Sequence, residues 1–243
     1  MKRRTFLLSA AGTAQLANAQ APPTKILVGE APPYAYGAPD GSAAGAAFEL
    51  VVDAARRLSI AFTYELEPMA RAVMMAQRAG PALLFPTARL PSRDGLFQWV
   101  APLVPMRLML FARRDSAADI RSLAAARRLK MGVLSSGGMR EYCDSLGLAS
   151  IQQVSSNTRA VKMLLAGRFD AVLTADHAVR AAVQELGVAP DALREGAVVM
   201  DTQLWMAALL AFPSDEVERW RKGFAGQGAD GTRKRVLERY KIS

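Results

Sequence analysis

The chain has 243 residues, of which 51% are hydrophobic and 22% charged, a composition typical of a folded globular protein and not of a disordered or fibrous one. A single cysteine excludes internal disulfides, and no apolar run reaches the roughly 18 residues that a membrane-spanning helix needs. The net charge of +9 raises the question of nucleic-acid binding. Because the basic residues are scattered and not interleaved with aromatic side chains, we expect no nucleic-acid partner.

The first twenty residues have the features of an export signal. Lys2-Arg3-Arg4 gives a positively charged start, a short apolar stretch follows, and Ala17-Asn18-Ala19 supplies the small residues that a signal peptidase reads. The pair Arg3-Arg4 also matches the twin-arginine export pattern. We expect a signal peptide over residues 1–19, cleavage near Ala19, and a soluble periplasmic protein without a lipid anchor.

Strand-like and helix-like segments then alternate along most of the chain. Unbroken apolar runs predict buried strands, and apolar residues spaced three and four apart predict helices with one buried face. The predicted strands are 25–30, 61–67, 82–85, 130–134 and 169–174. The predicted helices are 47–58, one that starts at Pro68, 138–146, 157–166, 176–186, 214–225 and 232–240. Repeated strand–helix units of this length predict an α/β fold, with a mostly parallel sheet covered by helices on both faces.

Two extended apolar segments, 106–113 and 197–202, interrupt this alternation because no amphipathic helix directly follows either of them. The simplest arrangement has two lobes. Lobe 1 consists of residues 24–107 and 203–243, and lobe 2 of residues 112–198, so that two strands cross between the lobes.

Ligands of open α/β sheets bind beyond the carboxyl ends of the strands, so the loops at those ends are the candidate binding loops. After the first strand, Pro32 and Pro33 restrict the backbone and hold Tyr34 and Tyr36. The two tyrosines form either an aromatic, hydrogen-bonding wall of a cleft or part of a packed surface loop. Arg93 ends the loop after strand 82–85, where it either presents its planar guanidinium to a carboxylate or is an ordinary surface residue.

Two further loops carry polar residues. Ser135, Ser136 and Gly137 separate a strand from a helix, and backbone N–H groups at such a helix start attract anions, although a serine-capped turn explains the same sequence. Asp176 follows strand 169–174 and either receives an ammonium group or caps the next helix. The single histidine, His177, is expected on a helix surface, and the single cysteine, Cys143, is expected to be buried.

These residues, taken in order, resemble the family 3 periplasmic solute-binding proteins, best known for polar amino-acid uptake. The resemblance covers roughly residues 25–243. Its landmarks are Pro-Pro-Tyr at 32–34, Asp40-Gly41, Phe48-Glu49-Leu50, Pro68 with Ala70-Arg71-Ala72, the loop ending in Arg93, residues 97–102 and 165–171, and Asp230-Gly231 with Tyr240. It implies a two-lobed type II periplasmic-binding-protein fold in which two crossover strands act as a hinge and the lobes close around a ligand. Arg93 matches the arginine that holds the ligand's α-carboxylate.

The sequence departs from the family at three positions. Ala175 stands where many members have the aspartate for the ligand's ammonium group, Gly137 where a serine or threonine is usual, and Met69 where tryptophan is frequent. A small carboxylate without an amine therefore fits almost as well as an amino acid, although Glu30 or Asp176 could supply the missing negative charge.

We therefore expect a monomeric solute-binding protein that captures a small anionic or zwitterionic ligand for an ABC-type permease in the inner membrane. The expected ligand-binding residues are Arg93, Tyr34, Tyr36, Glu30, Arg71, Thr87, Ser135, Ser136, Gly137 and Asp176. No cofactor or metal is expected, because one histidine and one cysteine do not make a usual metal site. Two alternatives stay open: a dehydratase-like enzyme acting on a cyclic hydroxy acid, with Glu30 or Asp176 as its acid, and a sensory binding module without transport.

Overall fold

A computed structural model describes residues 23–242, except for 79, 91–92 and 136–138. The expected signal peptide, Ser136 and Gly137 therefore lie outside the described residues. Within the described part of the chain, no helix combines the length and the apolar character needed to cross a membrane.

The described residues form ten strands and eight helices. The strands are β1 (Thr24–Glu30), β2 (Tyr36–Gly37), β3 (Ala43–Ala44), β4 (Phe62–Pro68), β5 (Leu83–Ala88), β6 (Phe97–Arg113), β7 (Lys130–Leu134), β8 (Ser150–Val154), β9 (Ala171–Ala175) and β10 (Leu193–Leu209). The helices are α1 (Ala46–Leu58), α2 (Met69–Arg78), α3 (Leu123–Ala126), α4 (Met139–Ser145), α5 (Asn157–Leu165), α6 (Asp176–Glu185), α7 (Ser214–Ala229) and α8 (Thr232–Arg239).

Eight of these strands form one sheet in the order β4-β1-β5-β10-β6-β9-β7-β8. Strand β1 is parallel to β4 and β5, and β7 is parallel to β8 and β9. The remaining pairs, β5–β10, β10–β6 and β6–β9, are antiparallel. The predicted α/β fold is confirmed: two groups of parallel strands are joined through a central antiparallel pair.

The central pair, β6 and β10, has 17 residues in each strand, far more than the extended segments predicted there. Strand β10 pairs with β5 through residues 204–208, and β6 pairs with β9 through residues 108–111. The apolar clusters follow the same division, since two draw mainly on residues 26–106 and 204–242 and the other two on residues 108–200. The exact lobe boundaries stay a prediction.

Three local differences from the sequence analysis have physical reasons. Pro68 ends β4 and does not start the helix, which begins at Met69; β4 is an edge strand, where a missing N–H group is tolerated. Strand β8 was missed because its sequence, Ser-Ile-Gln-Gln-Val, has little apolar character. The expectation that His177 lies on a helix surface is wrong, because its side chain packs against Tyr34 and is only 5% exposed. Burial of Cys143 is confirmed.

Candidate functional site

A cavity of about 80 Å³ lies where the carboxyl ends of β1, β5, β7 and β9 meet, beside the central strands β6 and β10. A single water molecule needs only about 10–15 Å³ of such space, so the cavity has room for a small ligand. Most of its lining is apolar, and four methionines contribute to it: Met69, Met106, Met139 and Met200. The polar side chains among its lining residues are Arg93, Tyr34, Thr87, Asn157 and Thr174.

Arg93 contributes a buried positive charge to this cavity, since only 4% of the residue is exposed. Its Nη1 donates to Thr87 Oγ1 at 2.7 Å and to the carbonyl oxygen of Ala88 at 2.9 Å, so the end of β5 fixes the direction of the guanidinium. Burial lowers the pKa of Arg93 from 12.5 to about 10, and the charge of Glu141 acts in the opposite direction. The guanidinium therefore stays protonated at neutral pH in a largely apolar setting.

Tyr34 also forms part of the cavity wall, and the start of α1 holds it in place. The Tyr34 carbonyl oxygen accepts a hydrogen bond from the backbone N–H of Ala47 at 2.9 Å, which satisfies one of the free donors at the start of the helix. Gly45 makes this approach possible, because its φ is +122° and a Cβ there would lie 2.4 Å from the same carbonyl oxygen. The Tyr34 side chain is 2% exposed, and burial raises the pKa of its hydroxyl far above the usual value.

Asn157 is a cavity residue that the sequence analysis did not identify. Thr174 ends the predicted strand 169–174, at a candidate binding loop, but was not among the expected ligand-binding residues. The Thr174 hydroxyl donates a hydrogen bond to Asn157 Oδ1 at 2.6 Å. The amide oxygen of Asn157 is therefore the acceptor in this pair, and its NH₂ group is the part of the side chain that donates. Asn157 begins α5, directly after the unrecognised strand β8. Recognition of β8 would have placed Asn157 at a strand's carboxyl end, where binding residues are expected.

Asp176 is fully buried but is not among the residues that line the cavity. Its Oδ2 accepts hydrogen bonds from Arg107 Nη2 at 2.9 Å and Arg107 Nε at 3.1 Å, and its Oδ1 accepts one from the backbone N–H of His177 at 2.9 Å. His177 Nδ1 also lies 2.8 Å from Oδ1, although it is not aligned for a hydrogen bond. Burial alone would raise the pKa of Asp176, but the contacts with His177 and Arg107 outweigh it and hold the pKa well below its usual range. The carboxylate thus joins α6 to β6.

The other expected site residues lie around the cavity or away from it. Glu30 is exposed and lines an adjoining, wider groove of about 670 Å³. This groove shares five lining residues with the cavity: Ala31, Met69, Leu134, Asn157 and Ala178. Ser135 lines a separate groove beside β8, and its N–H donates to the carbonyl oxygen of Val154 at 2.7 Å.

Tyr36 and Arg71 are outside the cavity lining as well. Tyr36 pairs with Ala44 in the small β2–β3 hairpin. Arg71 is exposed, with its Nε 3.4 Å from Glu67 Oε2. Of the expected residues, the described structure therefore brings together Tyr34, Thr87 and Arg93 on the cavity wall.

No family model and no curated protein sequence matches the chain. Solved structures do match. A histidine kinase sensor domain with similarity to periplasmic binding proteins has a TM-score of 0.80 at 19% identity, over 90% of this chain and 95% of that chain. A mutant of ArgBP from T. maritima has a TM-score of 0.74 at 16% identity, over 89% of this chain and 94% of that chain.

A third match is the ancestral amino acid-binding protein AncCDT-1, a precursor of cyclohexadienyl dehydratase. Its TM-score is 0.74 at 15% identity, over 89% of this chain and 94% of that chain. Identities at this level report on architecture and not on ligand or activity. The architecture is clear: this chain has the two-lobed α/β fold of periplasmic binding proteins.

Proposed function

We propose that this chain is a periplasmic solute-binding protein that holds a small anionic ligand in the cavity between its two lobes. The observation that carries the proposal is the buried, protonated guanidinium of Arg93 in the wall of a largely apolar cavity. A desolvated cation attracts an anion more strongly than an exposed one does, and the planar guanidinium suits a carboxylate.

Ligand capture proceeds by closure of the lobes. On one side of the central strands the cavity wall includes Thr87 of β5 and Arg93, which follows it. On the other side it includes Thr174 of β9 and Asn157 at the start of α5. A ligand that contacts both sides is bound more tightly by the closed form than by the open form, so it shifts the population toward closure. The closed monomer is then presented to an ABC-type permease.

The proposed role is binding without chemistry. A dehydratase acting on a cyclic hydroxy acid needs an acid over its substrate, and the two candidates are Glu30 and Asp176. Asp176 is engaged by Arg107, and Glu30 lies in the adjoining groove, so the geometry favours binding. Conversion of a cyclic hydroxy acid by the purified protein would establish the enzyme instead.

A sensory role remains the second candidate, because a histidine kinase sensor domain shares the fold with a TM-score of 0.80. Both roles begin with the same ligand-binding step and differ in the partner. Ligand-dependent stimulation of a reconstituted permease supports transport, whereas ligand-dependent binding to a kinase or receptor supports sensing.

A thermal-shift screen of organic acids, amino acids and polyamines, followed by calorimetry, tests the binding role. A ligand at 100 times its dissociation constant adds about 2.7 kcal/mol to the stability of the protein. Arg93→Met is expected to lose binding of the anion found in the screen. Arg71→Met is the matched control, since it removes the same charge from an exposed site outside the cavity lining. If no solute stabilises the protein, or if Arg93→Met binds as well as Arg71→Met, the proposal is rejected.

A further inference from the structure

We infer that the ligand is a monocarboxylate with an apolar body and no α-amino group. This inference rests on the proposed function and specifies the class of solute that the cavity accepts.

The charge of the described cavity lining comes from one side chain. Among the described residues that line it, Arg93 is the one charged side chain, and none is a carboxylate. A carboxylate placed beside Arg93 compensates the guanidinium charge. An α-ammonium group, held two bonds from that carboxylate, would be buried near the same cation without an acid to receive it, and burial of an unpaired charge is strongly unfavourable.

Nearby carboxylates do not change this balance. Asp176 is buried in its contacts with Arg107 and lies outside the lining. Glu141, whose charge acts on Arg93, is exposed and outside the lining, and Glu30 lines the adjoining groove. Position 175, at the end of β9 and in the cavity wall, is an alanine that is 7% exposed.

The remaining lining selects the body of the ligand beyond its carboxylate. The four methionines and several leucines offer flexible apolar contacts, which suit a branched or thioether hydrocarbon chain. A second carboxylate or a hydroxylated body would lose hydration to these side chains without gaining partners. We therefore expect branched aliphatic acids to bind better than dicarboxylates of similar length.

The decisive experiment compares pairs of ligands that differ only in the α-amino group. Calorimetry on wild-type protein, unfolded and refolded to remove any bound solute, is performed with 4-methylpentanoate against L-leucine and with 3-methylbutanoate against L-valine. We expect the amine-free acid to bind at least about tenfold more tightly in each pair. Succinate and the neutral 4-methylpentanamide are expected to bind more weakly than 4-methylpentanoate.

Substitution at position 175 tests the charge argument independently. Ala175→Asp places a carboxylate in the cavity wall and is expected to reverse the preference within the leucine pair. Ala175→Asn, of equal size and without charge, is the matched control and is expected to keep the wild-type preference. A change of preference in both variants would mean that side-chain size, and not charge, decides selectivity, which contradicts the inference.

The outcomes separate the inference from the proposed function. If L-leucine or another amino acid binds as tightly as its amine-free partner, the inference is overturned while solute binding stands. If neither pair binds but another solute from the screen does, with binding lost in Arg93→Met, the ligand class is wrong and the binding role survives. If no solute binds at all, both fall.

Discussion

Replacement of Arg93 by methionine is expected to abolish anion binding while changing the stability of the ligand-free protein only slightly. Burial lowers the pKa of Arg93 from 12.5 to about 10. Each pKa unit corresponds to about 1.4 kcal/mol, so burial of the charged form costs roughly 3 kcal/mol. The variant also loses the hydrogen bonds to Thr87 and Ala88, each contributing about 1 kcal/mol, and methionine suits an apolar wall. These effects largely offset each other, so we expect a change of at most about 1 kcal/mol in either direction, or roughly 2–4 °C in melting temperature.

The measurement is urea unfolding at pH 7, followed by circular dichroism, on wild type and Arg93→Met after refolding from denaturant to remove bound solute. The cost of the buried charge is fully present at pH 7, because the folded-state pKa near 10 keeps the guanidinium protonated there. Above about pH 10 the folded protein releases the Arg93 proton before the unfolded chain does, so the cost of the buried charge decreases as the pH rises further. Below about pH 10 this cost does not change with pH. A loss of more than about 2 kcal/mol in the variant would refute the reasoning and assign Arg93 a structural role.

Three further predictions concern the framework of the site. Asp176→Ala leaves Arg107 without its carboxylate and is expected to lower the free energy of unfolding by about 2–3 kcal/mol at pH 7. Because the pKa of Asp176 is depressed in the folded protein, its contribution to wild-type stability is present above about pH 4 and is lost on acidification. In acid unfolding, the stability of the wild type should therefore fall more steeply with decreasing pH than that of Asp176→Ala. Gly45→Ala should destabilise by several kcal/mol in thermal unfolding, whereas Gly228→Ala, in α7 with open space around it, should be neutral or stabilise by up to about 1 kcal/mol. Burial raises the pKa of Cys143 to about 11, so a thiol reagent at pH 7.5 should label it only when urea unfolds the chain; rapid labelling of folded protein would contradict this.

The fold was predictable from sequence where burial leaves a clear pattern. Strand β7 was predicted with its exact bounds, and β1 and β9 within two residues, because strands covered on both faces have unbroken apolar runs. Strand β8 lies at the sheet edge, so its polar residues resemble a loop. The full length of β6 and β10 was also not predictable, since their pairing joins residues that are far apart in sequence.

The site was only partly predictable, for a geometric reason. The rule that ligands bind at strand ends led to Tyr34, Thr87 and Arg93, which lie together on the cavity wall. The same rule led to Asp176, whose carboxylate instead contacts Arg107 outside the lining. One step along the chain, from the last residue of β9 to the first of α6, changes the direction of the side chain, and sequence alone does not show which of the two positions faces the cavity.

The buried guanidinium gives a physical reason for the proposed coupling between ligand binding and lobe closure. Water admitted to the proposed cleft would solvate Arg93 and weaken its attraction for an anion. In the described structure the same charge is 4% exposed and its pKa is lowered, so exclusion of water from an empty cavity is unfavourable. An anion beside Arg93 removes that cost and gains attraction from the exclusion of water. Its affinity therefore differs between the two forms, which is the condition that a ligand must meet to shift the population toward closure.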